Sequence, residues 1–154
     1  MSAELQQLYQ QIILDHAKAR HGAGLVEAPA GAKAGESHQL NPTCGDEITL
    51  RAVLDGSAAG APSVEGISWE GQGCSISMAS ASVLTDLAAG LSRDEVMDLV
   101  ENFREVMRSR GTVEADEEVL GDAAAFSGVS RYPARVKCAM LAWVALEEAL
   151  LAAN

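Results

Sequence analysis

At 154 residues the chain is long enough to bury a real core without disulfide staples, and it suits one domain spanning 1–154. With 48% apolar and 21% charged residues it has the balance of an ordered globular protein, and abundant alanine beside few aromatics favours helix. A formal net charge of −11 repels a phosphate backbone, which excludes nucleic acid as an expected partner and suits a basic patch on a protein better.

Leu5, Leu8, Tyr9, Ile12 and Ile13 fall at helical spacing and predict an amphipathic first helix ending near Ala19. His16 lies one turn further along, where a hydrogen-bonded edge histidine is a plainer reading than a ligand. The stretch 21–35, with its glycines, alanines and Pro29, has no apolar period and reads as a loop. Three extended segments follow, 36–40, 47–54 and 64–69. In the second, Ile48, Leu50, Ala52 and Leu54 alternate with Glu47, Thr49, Arg51 and Val53, which predicts a half-buried antiparallel sheet. Residues 55–63, rich in glycine and small side chains, connect the second strand to the third.

From Ser75 onward, Ile76, Ala79, Val83, Leu84 and Leu87 form a helical stripe that stops at Gly90. Ser92 and Glu95 make a capping box ahead of Val96, Leu99, Val100, Phe103, Val106 and Met107, a helix that ends by Gly111. A short helix is predicted over 117–126, and Pro133 suits the first turn of a last helix through Val136, Met140, Trp143, Leu146 and Leu150. Strands followed by helices predict an α+β fold, a three-stranded antiparallel sheet packed with helices. No basic start precedes an apolar run and cleavage site, and the longest apolar run, 138–146, is too short for a bilayer. The expectation is a cytoplasmic protein with no membrane partner.

Three cysteines cannot all pair in disulfides, and in a reducing compartment such a set points to metal or to reactive thiols. Cys44 and Asp46 lie in Asn41-Pro-Thr-Cys-Gly-Asp46, a tight turn between strands, where Asp46 reads equally as a turn residue or a ligand. Cys74 lies in Gly71-Gln-Gly-Cys-Ser-Ile-Ser77 at the start of a helix, where backbone amides favour a thiolate. Cys138 sits about a turn and a half into the last helix, one turn after Arg135, and taken singly it also reads as a core cysteine. Joined, the three thiolates and one carboxylate supply four ligands, enough for tetrahedral zinc. Around a divalent ion they leave two excess negative charges, which Arg135 and Lys137 offset in part. The carboxylate is the most labile of the four, because softer metals prefer sulfur.

Asn41-Pro-Thr-Cys-Gly-Asp46, Gly71-Gln-Gly-Cys-Ser-Ile-Ser-Met-Ala-Ser-Ala-Ser82 and Ser130-Arg-Tyr-Pro-Ala-Arg-Val-Lys-Cys138 closely resemble the U-type iron–sulfur cluster assembly proteins. The order and length of the motifs extend the resemblance over nearly the whole chain, and it implies an IscU-like fold with Cys44, Asp46, Cys74 and Cys138 as metal ligands. Lys137, where the IscU-type scaffolds usually carry histidine, and the long segment 111–135 resemble the SufU branch. Asp15-His-Ala-Lys-Ala-Arg-His-Gly22 departs from the family, which commonly has tyrosine after the histidine and a proline soon afterwards.

The resemblance implies a zinc-dependent sulfur-transfer protein that accepts persulfide sulfur from a SufS-type cysteine desulfurase and meets other SUF assembly proteins. Cys44 is the expected acceptor, since a turn can present its sulfur while Cys74 and Cys138 stay anchored on helices. Arg135 is expected to stabilise the attacking sulfur, contact the partner or neutralise the ligands. Two further readings use the same residues: a scaffold that builds and passes on a [2Fe–2S] cluster, and a structural zinc module, against which the oxygen ligand Asp46 argues. Oligomeric state is not written in the sequence.

Overall fold

A computed structural model describes residues 3–55 and 62–153. Helix α1 (Ala3–Ala19) leads into a loop, followed by strands β1 (Lys33–Asn41), β2 (Asp46–Asp55) and β3 (Ser63–Gln72). Then come α2 (Ser75–Ala88), α3 (Arg93–Arg108), the single turn α4 (Glu117–Leu120), a 3-10 segment (Gly121–Arg131) and α5 (Pro133–Ala152). The connection expected over 55–63 lies, apart from its ends, outside the described residues.

The strands form one antiparallel sheet in the order β1-β2-β3, with Asn41 opposite Asp46 and Glu47 opposite Gln72 at the end that carries the first turn. Alternation in β2 works as its sequence predicts: Ile48, Leu50, Ala52 and Leu54 are all buried. Helix α5 packs across β1 and β2, α2 and α3 pack against α5, and α1 packs on α2 and on the 3-10 segment. Phe103 of α3 stacks on Trp143 of α5 at 4.0 Å between ring centroids, and Phe126 meets Phe103 edge-on at 6.1 Å, so three elements share one aromatic cluster. No helix among the described residues is long and apolar enough to cross a membrane.

The α+β architecture is the expected one, and the differences from the sequence reading are local. Leu8, assigned to the apolar stripe of α1, is 55% exposed, and only Tyr9 and His16 of that helix are buried. Helix α2 shows no clean stripe because Ser77–Leu84 are buried all round, wedged between α1, α5 and β3. Its serines are paid off by hydrogen bonds, as at Ser80, whose hydroxyl donates to the Ala139 carbonyl and accepts from the Trp143 indole. The short helix predicted over 117–126 ends at Leu120, and the chain tightens to 3-10 coil over an alanine run that buries Ala123, Ala124, Ala125 and Phe126 consecutively. Three alanine side chains are small enough for successive residues to face protein up to Phe126, which an amphipathic α-helix does not allow.

Candidate metal centre

The site lies where the β1–β2 turn, the start of α2 and the second turn of α5 converge. Asp46 opens β2 on the same inward face as Ile48 and Leu50, so the strand period that builds the core also buries a carboxylate completely at its end. Such a group must be partnered. Asp46 Oδ1 accepts the Cys74 amide at 2.9 Å, and the buried Asn41 side chain reaches Oδ2 at 3.5 Å from the facing strand position. Gly45, at φ 72°, supplies the left-handed residue that turns the chain from Cys44 into β2.

Cys44 is exposed on this turn, Cys74 is half-buried at the N-cap of α2, and Cys138 is fully buried on α5. The Cys138 sulfur lies 3.4 Å from the Cys44 sulfur, and donor atoms of Cys44, Asp46 and Cys138 all fall within 4.8 Å of one another. Cys74 stands at the edge of this trio. Its amide makes the close contact to Asp46, and its sulfur lies 3.5 Å from Ser77 Oγ.

Burial alone pushes the Asp46 carboxyl up, but hydrogen bonds from the Cys138 thiol, the Cys74 amide, Ser77 and the Cys74 thiol outweigh it and hold the carboxyl below its ordinary value. Burial pushes the Cys138 thiol strongly up, and its contacts with Asp46, Cys44 and Cys74 add to the rise. A sulfur so placed loses its proton readily only when a cation beside it stabilises the thiolate. This donor set fits zinc: the 3.4 Å sulfur–sulfur separation is close to the ~3.8 Å edge of a tetrahedron with Zn–S bonds of ~2.3 Å.

Gly73 makes room for the carboxylate, because a Cβ there would come within 2.4 Å of Asp46 Oδ1. Gly73→Ala is therefore expected to push Asp46 off the Cys74 amide, lower stability by ~1–3 kcal/mol and speed metal loss. Thermal melts and the rate of zinc transfer to a chelator check both effects, and an unchanged rate would refute the packing role.

Arg135 is exposed on the first turn of α5, three residues before Cys138, and its side chain makes no hydrogen bond or ion pair among the described residues. Lys137 is exposed beside it and lines a cleft with Pro42, Thr43 and Met140. Sequence reasoning quoted Asn41 and Ser77 within motifs but gave them no part. Asn41 Nδ2 lies 3.5 Å from Asp46 and 3.8 Å from Cys138 Sγ, bridging two of the donors. Its place opposite Asp46 across a four-residue turn was the available signal.

The model of the NifU-like N terminal domain family matches residues 8–150. The chain is 40% identical over 148 residues to the zinc-dependent sulfurtransferase SufU of Bacillus subtilis, covering 96% of this chain and 92% of that one. It is 37% identical to the iron–sulfur cluster assembly scaffold protein IscU of Streptococcus pyogenes, covering 96% and 86%. A crystal structure of a putative iron–sulfur cluster assembly scaffold protein for the SUF system from Fervidobacterium islandicum superposes with a TM-score of 0.74 at 34% identity, covering 94% of this chain and 97% of that one.

Proposed function

Because the chain belongs to the NifU-like N terminal domain family of iron–sulfur cluster assembly, we propose that it is a zinc-dependent sulfur acceptor serving a cysteine desulfurase of the SufS type. The observation that carries this reading is the gradient of access across the three sulfurs: Cys44 exposed, Cys74 half-buried, Cys138 buried. A sulfur relay needs one thiol that a partner's persulfide can reach and others that remain in place. The 40% identity to a protein named for zinc-dependent sulfur transfer supports it.

Cys44, Asp46, Cys74 and Cys138 would hold the zinc, which when bound keeps the thiols deprotonated yet shielded. The Cys44 thiolate attacks the terminal sulfur of the desulfurase cysteine persulfide. A new S–S bond forms at Cys44, the old one breaks, and the desulfurase cysteine leaves as a thiolate that takes up a proton. The sulfane sulfur is now a persulfide on Cys44, with no net oxidation. Asp46 remains ionised and keeps the Cys74 amide engaged, while Arg135, whose side chain has no hydrogen-bond or ion-pair partner among the described residues, is placed to meet the incoming persulfide or the partner surface. The acidic chain suits a basic docking patch.

The same donors suit a scaffold for a [2Fe–2S] cluster, a reading favoured by the 37% identity to a protein named a scaffold. Metal analysis of freshly purified protein, with no metal added, separates the two. Sulfur relay predicts about one zinc per chain and no visible absorption. Iron and sulfide in place of zinc, with cluster absorption, would overturn it in favour of the scaffold.

A further inference from the structure

A second group of metal-binding side chains lies away from the cysteines. His16 near the end of α1, His21 just beyond it and Asp86 on α2 bring donor atoms within 4.8 Å of one another. Asp122, in the 3-10 segment, adds a carboxylate 3.3 Å from His16 Nε2. Asp86 lies twelve residues along α2 from Cys74, about 18 Å at 1.5 Å per residue, so the two groups share a helix but no ligands.

His16 is hydrogen-bonded, as its position in the sequence suggests, and its partners also fix its ring. Ser82 Oγ lies 2.8 Å from His16 Nδ1 and also accepts the His21 amide at 2.9 Å, so one buried hydroxyl orients the inner ring and ties down the backbone of the outer histidine. A hydroxyl can donate or accept. When it accepts from Nδ1–H, the Nε2 lone pair of His16 is left free for a cation beside the carboxylate of Asp122. Fixing one ring nitrogen through an outer partner is how proteins set the tautomer of a ligating histidine.

The outer half of the group is open. His21 and Asp86 are each about half exposed, with His21 Nδ1 2.7 Å from Asp86 Oδ2, whereas the His16 side chain is 11% exposed at the base. With neutral imidazoles the two carboxylates give the group two negative charges, in a chain already at −11. The geometry points to a second metal site, in which His16, His21 and Asp86 bind a divalent first-row transition ion through nitrogen and oxygen alone, with the Asp122 carboxylate beside His16 adding negative charge. Imidazole with carboxylate suits zinc, cobalt, nickel or copper rather than calcium or magnesium.

Cobalt(II) is the probe, because thiolate ligands give intense near-ultraviolet charge-transfer bands that nitrogen and oxygen ligands do not. At neutral pH the protein is expected to bind a first equivalent with those bands and a weaker second equivalent with d–d bands only. His21→Ala and Asp86→Asn, at half-exposed positions, are expected to weaken the second equivalent at least ~10-fold and leave the first unchanged. His16→Ala is avoided because the ring is buried between α1 and α2. A single equivalent in the parent protein, a second one indifferent to both substitutions, or a second one with thiolate bands would overturn the site. The thiolate bands of the first equivalent report separately on the cysteines, so this result and the sulfur-relay reading stand or fall apart.

Discussion

Cys44→Ala is expected to return a stimulated cysteine desulfurase to its turnover without this protein. Cys44 is the one sulfur exposed to a partner, and it sits on a turn anchored on both sides by the paired Asn41 and Asp46. The turn can move its tip without disturbing the buried Cys138 or the helix start at Cys74. Accepting the persulfide sulfur frees the desulfurase for its next cycle, so removal of the acceptor removes the whole gain rather than a part of it. The substitution deletes an exposed side-chain sulfur, so helix content and melting of the metal-free variant should stay near those of the parent. Turnover with cysteine as substrate, together with mass spectrometry of the reacted protein, makes the check. One added sulfur on the peptide carrying Cys44 is the expected result, and undiminished stimulation by Cys44→Ala would rule the relay out.

Arg135→Ala on the same assay separates chemistry from docking. A smaller effect is expected, because the guanidinium holds no hydrogen bond or ion pair among the described residues.

The sheet and the inward placing of Asp46 are legible in the sequence for the same reason. Strand β2 carries a strict period of two, and that period buries Asp46 along with Ile48, Leu50, Ala52 and Leu54. The capping box is equally local: Ser92 Oγ accepts the Glu95 amide and Glu95 accepts the Ser92 amide, and α3 begins where these residues place it. What escaped the sequence reading depends on neighbours distant in the chain. Leu8 falls at core spacing, but the helix has too few elements against it to cover that position. The end of α4 is set by how closely an alanine run can pack, which no period records. The pairing of His16 with Ser82, 66 residues away, has no signature in spacing at all. Cys44 and Cys74 stand out because each lies in a stretch of glycine and polar residues, whereas Cys138 opens an apolar run and is marked only by its company.

Cys138→Ser is expected to abolish zinc retention, whereas Asp46→Ala keeps zinc but exchanges it faster. Serine offers a poorly acidic hydroxyl where a borderline-soft ion prefers thiolate, and Cys138 cannot be replaced by water because it is fully buried on α5 behind the turn. Losing a direct sulfur ligand should weaken binding by more than the ~10–100-fold seen when only an outer partner is lost. Asp46 would contribute one oxygen, for which water can substitute, and its deletion is expected chiefly to free the Cys74 amide and unsettle the start of α2. That orphaned amide is worth ~1–3 kcal/mol of stability, so Asp46→Ala should melt earlier than the parent while still carrying metal. The pair of variants therefore inverts the usual order, with the one that keeps zinc also losing the hydrogen-bond anchor of the site. Zinc content after gel filtration, and the rate of transfer to a chromogenic chelator, measure both. Full zinc occupancy in Cys138→Ser would sink the four-ligand site, and prompt loss of all zinc in Asp46→Ala would make the carboxylate as essential as the sulfurs.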